Sequence, residues 1–126
     1  NKNFYLSLKD EKPEESAEVI KKMIVNNSDI TALICSTEYS AVGAIKACHQ
    51  LKKKIGKDIS IITFDGPVVQ SLSNPSLSAV TFPRKELGLK AIEILMQMDD
   101  KNFNKKSYLA KAKIIDRGSV SKLNKK

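Results

Sequence analysis

The sequence predicts an α/β fold, a three-layer α/β/α sandwich around a mostly parallel sheet. Residues 31–36 and 59–64 are apolar runs without polar alternation, which is typical of strands covered on both faces. Segments with helical spacing of apolar residues precede, separate and follow these runs. The length of 126 residues fits a single domain with a core of its own.

The first predicted elements are a strand over residues 3–8 and a helix that begins at Pro13. Proline suits the first turn of a helix because its missing N–H needs no partner there. Glu14 and Glu15 favour the positive helix start. The apolar positions of this helix are Ala17, Ile20, Met23 and Ile24.

A second helix follows the strand at 31–36. Thr37 is a good N-cap, and Gly56 is expected to end the helix. Gly43 inside the helix costs about 1 kcal/mol relative to alanine, so close packing is expected to require a small side chain there. The residues predicted to be buried are Ala41, Ala44, Ile45, Cys48 and Leu51.

Later segments complete the predicted sandwich. Residues 65–75 read as a loop, residues 78–81 as a short strand and residues 84–98 as a helix. Alternation of apolar residues with lysines over 110–114 predicts a half-exposed strand at a sheet edge. The residues from Ser121 onward are expected to be a flexible tail.

The net charge of +8 does not by itself indicate nucleic-acid binding. Only Arg84 and Arg117 are arginines, the lysines are scattered, and few aromatic residues could act as stacking platforms. No apolar run reaches the roughly 20 residues of a membrane span, and no secretory leader is visible. A cytoplasmic location without membrane contact is the expectation.

Neither a metal site nor a cofactor is expected. Cys35 and Cys48 fall at core positions, as thiols do in a reducing compartment, and His49 is predicted to be exposed. The sequence has no glycine-rich phosphate loop, no nucleophile elbow and no histidine placed to activate a nucleophile. We therefore expect no enzyme.

Polar residues at the ends of neighbouring strands favour a binding module. Thr37 and Glu38 follow the first apolar run, and Asp65 follows the second. Ligands of parallel α/β sheets bind at the carboxyl ends of the strands. Each residue also has a structural alternative: Thr37 as helix cap, Glu38 as a charge at the helix start, and Asp65 as a turn residue.

Five segments resemble the C-terminal lobe of the lac-repressor-like (LacI/GalR) transcription regulators. They are residues 31–47, 59–65, 75–80, 86–88 and 114–119, the last ending in Arg-Gly-Ser. The resemblance implies one lobe of a type I periplasmic-binding-protein-like fold. It also implies an effector-binding and dimerisation lobe over 1–120, with 83–107 packed on an absent N-terminal lobe and 121–126 as tail.

The family pattern implies ligand roles for residues at five positions. Asp65 would accept hydrogen bonds from ligand hydroxyls or ring N–H groups, and Thr37 takes a position commonly held by asparagine. Lys12 replaces a stacking aromatic residue and could meet an anionic group, although a solvated turn lysine is the alternative. Phe82 would line the pocket floor or the core. Arg84 borders the cleft.

The resemblance also implies a two-fold homodimer. Its contacts would include Val42, Val68, Val69 and Leu72, which could instead pack under the loop. The implied function is sensing of a small-molecule effector, such as a sugar or sugar phosphate, in a repressor that binds operator DNA through a missing helix-turn-helix. The alternative is a sugar-binding receptor of a transport system.

Overall fold

The computed structural model describes residues 5–7, 12–64, 71–98 and 107–122. Its helices are α1 (Pro13–Asn26), α2 (Glu38–Gln50) and α3 (Arg84–Gln97), and its strands are β1 (Ala32–Cys35), β2 (Ser60–Phe64), β3 (Ser78–Thr81) and β4 (Lys113–Ile115). These elements confirm the predicted α/β class and the predicted helices and inner strands. Residues 5–7 of the predicted first strand are irregular, and α2 ends six residues before Gly56.

The four strands form one sheet in the order β1-β2-β3-β4. β1, β2 and β3 run parallel, whereas β4 pairs antiparallel with β3. The pairing confirms both the mostly parallel sheet and the predicted edge strand. It brings the carboxyl ends of β1, β2 and β3 to the same edge of the sheet, called here the carboxyl edge.

A pair of helices covers one face of this sheet. α2 packs on β1 and β2, and α1 packs along α2. The two helices approach closely at Gly43, where an added Cβ would lie 2.4 Å from the Cβ of Ser16. The absence of a side chain at Gly43 therefore allows the backbones of α1 and α2 to approach closely, as the sequence predicted. The core under the helices includes Ile20, Ile24, Leu33, Ile45, Ile59 and Ile61.

The opposite face of the sheet carries exposed apolar side chains within the described residues, which do not include the helices of the predicted third layer. Burial alternates along β1, and Ile34 is 76% exposed between buried Leu33 and Cys35. Ile114 of β4, whose register partner is Val80, is also largely exposed. Among the described residues no helix packs on this face. An apolar run predicts burial on both faces, but covering the second face requires an element that these residues do not provide.

The segment after β4 is hydrogen-bonded to the amino ends of β2 and β3. The Ile61 N–H donates to the Ser119 carbonyl at 2.9 Å, and the Ser119 hydroxyl donates to the Ile61 carbonyl at 2.6 Å. The same hydroxyl accepts the Ser78 N–H at 2.7 Å. We call residues 116–119 the C-terminal clasp.

Asp116 and Arg117 complete the clasp. The Ser78 hydroxyl donates to the Asp116 carboxylate at 3.0 Å, and the Arg117 guanidinium donates to the Leu77 carbonyl at 2.9 Å. Hydrogen bonds from the Gly118 N–H and from Ser78 lower the pKa of Asp116. The clasp thus ties chain segments about 40 residues apart in sequence by charge-assisted and neutral bonds.

Within the described residues, α3 is not packed on the sheet or on the pair formed by α1 and α2. None of its residues is buried, although it carries several large apolar side chains. Its hydrogen bond to the returning chain joins the Tyr108 hydroxyl, as donor, to the Glu86 carboxylate.

Replacing Gly43 by alanine should destabilise the helix pair. The added methyl group would overlap α1, and overpacking of this kind costs about 1–3 kcal/mol, more than alanine gains in helix propensity. Urea unfolding followed by circular dichroism measures the change. Lys22→Ala, at an exposed position of α1, is the control and should leave the midpoint nearly unchanged. An unchanged midpoint for Gly43→Ala would contradict the close contact.

Replacing Ser119 by alanine should weaken the C-terminal clasp and lower the free energy of unfolding. The change removes two hydrogen bonds and leaves the buried Ser78 N–H without its partner, at a cost of about 1–3 kcal/mol. Ser121→Ala is the matched control because Ser121 contacts Ser60 through its backbone N–H. Equal unfolding midpoints for the two variants would show that the clasp adds no stability.

Candidate functional site

The carboxyl edge gathers three of the predicted site residues. β1 is followed by Thr37, and β3 is followed by Phe82 and Arg84. Because the three strands are parallel, these residues project from one edge of the sheet. Lys12, just before α1, lies toward the same end because α1 leads into the amino end of β1. The position after β2, Asp65, lies outside the described residues.

Thr37 is the N-cap of α2. Its Oγ1 accepts the Ser40 N–H at 3.2 Å, and the Ser40 Oγ accepts the Thr37 N–H at 3.1 Å, which makes a capping box. The structural alternative for Thr37 is therefore confirmed. Its half-buried hydroxyl keeps a second acceptor position, so capping and a ligand contact are chemically compatible.

Phe82 forms an aromatic pair with Phe64, the last residue of β2. Their ring centroids are 6.3 Å apart, and the ring planes are inclined by 10°. Each side chain is 40% exposed, so Phe82 is not a core residue. Analysis of the sequence missed Phe64 because it ends a run that resembles a fully buried strand. The pair presents apolar ring surface beside the polar strand ends.

Lys12 and Arg84 begin their helices without acting as side-chain caps. Lys12 is the N-cap residue of α1, where its carbonyl accepts the Ser16 N–H at 3.0 Å. Arg84 is the first residue of α3, and its N–H donates to the Phe82 carbonyl at 2.9 Å. Both side chains are exposed on the surface.

Two buried polar atoms lie near the carboxyl edge. Within the described residues, Oε1 of Glu38 and Oγ1 of Thr63 have no hydrogen-bond partner. Glu38 is the first residue of α2, where its charge complements the helix dipole as expected. Thr63 is fully buried one residue before the end of β2, a position that analysis of the sequence did not single out.

The predicted dimer residues differ in how far their side chains are buried. Val42 is partly buried against the core, in keeping with a packing role, whereas Leu72 is 52% exposed. Val68 and Val69 lie outside the described residues. Their role in a dimer stays a prediction.

Both cysteines are buried, as predicted, and His49 is exposed. Burial raises the pKa of the Cys35 thiol to about 12, although a hydrogen bond with Ser40 opposes the shift. Burial also raises the pKa of the Cys48 thiol to about 11. Both thiols are therefore neutral and unreactive at neutral pH.

We identify no second small-molecule or metal site in the part of the chain that the structure describes. A cavity of about 630 Å³ runs along the start of α3 and includes Arg84, Leu89 and Glu93, but not the aromatic pair. Within the described ranges no group of three or more His, Cys, Asp or Glu side chains could hold a metal ion. No helix in this part of the chain is long and apolar enough to cross a membrane.

The fold agrees with comparisons to known proteins. The family described as a periplasmic binding protein-like domain matches residues 3–120. The chain belongs to this family. A solved PurR family transcriptional regulator from Vibrio parahaemolyticus superposes with a TM-score of 0.75 at 29% identity, over 94% of this chain and 42% of that one. The Escherichia coli transcriptional repressor ascG gives 0.71 at 26% identity, over 91% of this chain and 44% of its own.

Curated relatives belong to the same group of regulators. The HTH-type transcriptional repressor PurR of Aliivibrio salmonicida is 30% identical over 82% of this chain, and the regulator MalR of Clostridium butyricum is 29% identical over 81%. The chain spans about a third of these relatives, 32% and 30% of their lengths respectively. It corresponds to the effector-binding region of LacI-family transcriptional regulators, as the sequence predicted.

The native thiols should resist labelling. A reagent such as 5,5′-dithiobis(2-nitrobenzoate) at pH 8 should react with Cys35 and Cys48 only after denaturant unfolds the chain, because burial favours their neutral forms. The single variants Cys35→Ala and Cys48→Ala assign each signal. Rapid labelling of the folded chain would contradict the burial of these groups.

The same shifts predict a loss of stability in alkali. A thiol with its ordinary pKa of 9.0 in the unfolded chain and about 12 in the fold keeps its proton longer when folded. The contribution of the buried, neutral Cys35 thiol to the free energy of unfolding is therefore complete below pH 9. This contribution is lost as the pH rises toward 12. Urea midpoints between pH 8 and pH 10.5 should fall less in Cys35→Ala than in the unaltered chain.

Proposed function

We propose that this chain is the effector-sensing and dimerisation lobe of a LacI-family regulator. The observation that carries the proposal is the assembly at the carboxyl edge: a capping hydroxyl at Thr37 and the ring pair of Phe64 and Phe82 lie at neighbouring strand ends. In this proposal the carboxyl edge forms one wall of the effector-binding cleft. The chain spans about a third of its relatives, so the opposite wall belongs to the remainder of a regulator-length protein.

The proposed ligand is a small polar metabolite with one apolar face, of which a sugar or sugar phosphate is the leading class. Asp65 follows Phe64 directly and would accept hydrogen bonds from two adjacent hydroxyls. Phe64 and Phe82 would contact the apolar face of the ring. Lys12 and Arg84, at the starts of α1 and α3, are the cationic residues that we propose to face an anionic substituent.

The proposed mechanism is a shift between two arrangements of the lobes. An effector that binds one arrangement more tightly raises its population, and the difference in affinity sets the size of the shift. In the full regulator, a cytoplasmic homodimer, this bias would alter how a separate helix-turn-helix region meets operator DNA. No catalytic step is involved. The relatives named above are transcriptional regulators, which favours this function over a transport receptor.

A thermal-shift screen of sugars and sugar phosphates against the regulator-length protein tests the proposal, since a ligand that binds the native state raises its melting temperature. For a ligand found in this way, Asp65→Asn should raise Kd about tenfold or more, because a bond to a charged acceptor contributes about 1.5–3 kcal/mol.

Two further variants sharpen this test. Phe82→Ala should also weaken binding by removing half of the aromatic pair. Asp29→Asn, an exposed aspartate at the opposite end of the sheet, is the matched control and should leave Kd unchanged. Equal affinities for Asp65→Asn and Asp29→Asn would rule out the proposed site.

A further inference from the structure

Lysines that are scattered in the sequence converge at one end of the sheet. Five exposed lysines lie in the chain segments around the amino end of β2, namely Lys52, Lys53, Lys54, Lys57 and Lys122. Within the described ranges, none of them forms a salt bridge with a carboxylate. We call these five residues the amino-edge lysine patch, because they lie at the end of the sheet opposite to the carboxyl edge.

Backbone contacts bring the two segments of the patch together. The turn that carries Lys57 touches the C-terminal clasp, since an added Cβ at Gly56 would lie 2.3 Å from the Gly118 carbonyl oxygen. Beyond the clasp, the Ser121 N–H donates to the Ser60 hydroxyl at 3.1 Å. Lys57 and Lys122 each follow one of these contact residues in the chain. The patch is therefore a product of the fold, and no local pattern in the sequence could reveal it.

Hydrogen bonds fix the backbone of the turn between α2 and β2. The Lys54 carbonyl accepts the Asp58 N–H at 2.8 Å and the Lys57 N–H at 3.2 Å. In return, the Asp58 carboxylate accepts the Lys54 N–H at 2.7 Å. The lysines thus project from an ordered turn, which holds their positive charges close to one another.

The dipole of α2 accounts for only part of this concentration of charge. Lys52 and Lys53 follow the last turn of α2, where cations stabilise the negative helix end. Lys57 and Lys122 belong to no helix. The carboxylates of the described residues at this end of the sheet are Asp29, Asp58 and Asp116. The lysines of the patch outnumber them, so the amino edge carries an excess of positive charge.

We propose that the amino-edge lysine patch binds the phosphate backbone of double-stranded DNA without reading its sequence. Lysine ammonium groups act as point charges, which suit a row of phosphates better than the two-bond recognition of a base. Residues 51–60 and 117–122 contain no aromatic side chain. Aromatic residues commonly anchor protein interfaces and stack on the bases of single strands. Duplex DNA therefore matches the patch better than an acidic protein or a single strand does.

The position of the patch leaves it clear of the proposed effector cleft. The cleft lies at the carboxyl edge, whereas the patch lies at the other end of the same parallel strands. The proposal rests on the proposed function only in that a transcription regulator works close to DNA. Contact with a second stretch of duplex would add to operator binding by a separate region, because two linked contacts raise the effective concentration of DNA.

Titration of a fluorescently labelled duplex of about 20 base pairs with the 126-residue chain tests the proposal. Fluorescence anisotropy should report binding at low salt, with the same Kd within about twofold for two unrelated sequences. The logarithm of the affinity should fall with the logarithm of the NaCl concentration with a slope of about −3 or steeper, since each phosphate contact contributes about −0.9. Absence of binding at low salt would overturn the proposal.

A triple variant of the patch provides the specific test. Lys53→Gln, Lys57→Gln and Lys122→Gln together should raise Kd about tenfold or more at low salt and make the salt slope shallower by about 2–3, because up to three phosphate contacts are lost. All three side chains are exposed, so the urea midpoint should stay close to that of the unaltered chain. A retained fold excludes unfolding as the cause of weaker binding.

The matched control removes the same charge from the other end of the sheet. Lys85→Gln, Lys111→Gln and Lys113→Gln lie at exposed positions near the carboxyl edge, where Lys113 is paired with Thr81. This variant should change Kd by less than about threefold, because the lost charges are distant from the patch. Equal losses of affinity in the two triple variants would show that net charge, not the patch, binds DNA, and would overturn the proposal.

Poly-L-glutamate separates DNA from an acidic protein as the partner. Tight binding of poly-L-glutamate at the charge concentration of the duplex, lost in the patch variant, would make the patch a surface for acidic proteins and refute the assignment to DNA. None of these measurements uses an effector. Failure of the thermal-shift screen would therefore count against effector sensing alone, and failure of the anisotropy titration against the lysine patch alone.

Discussion

Parallel pairing of β1, β2 and β3 is the constraint on which the rest of this structure depends. It places the three carboxyl ends at one edge and obliges the connecting helices to return the chain across a face of the sheet. The cap at Thr37 and the rings of Phe64 and Phe82 are brought together by this pairing alone. The remaining contacts adjust the geometry of that edge but do not create it.

Apolar surface is distributed unevenly over this chain. α1 and α2 close one face of the sheet through the contact at Gly43, while Ile34 and Ile114 leave the other face apolar and accessible to solvent. Within the described ranges, α3 adds an apolar helix that is packed on neither face. A mostly parallel sheet ordinarily has both faces covered. The described part of the chain therefore exposes more apolar surface than is usual for a parallel α/β sheet.

Local patterns were sufficient to predict α1, α2, the inner strands and the edge position of β4 from the sequence. Gly43 was also predictable, because glycine in a helix interior implies a close neighbour. The exposure of Phe64 was not predictable, because an apolar run has the same pattern whether one face or both faces of the sheet are covered. The Ser119 bonds to Ile61 and Ser78 follow no periodicity and join residues 58 and 41 positions apart, so no local pattern could reveal them. Asp65, the residue that the sequence singled out first, lies outside the described residues.

The C-terminal clasp has a consequence for biosynthesis. β3 leaves the ribosome before α3. β4, which pairs with β3, and Ser119, which bonds to Ile61, emerge only after the whole of α3 has been synthesised. Until then one side of β3 has no strand beside it, and unpaired edges of this kind invite association with other nascent chains. A translating cell therefore adds β4 and the Ser119 hydrogen bonds last among the described elements of this sheet.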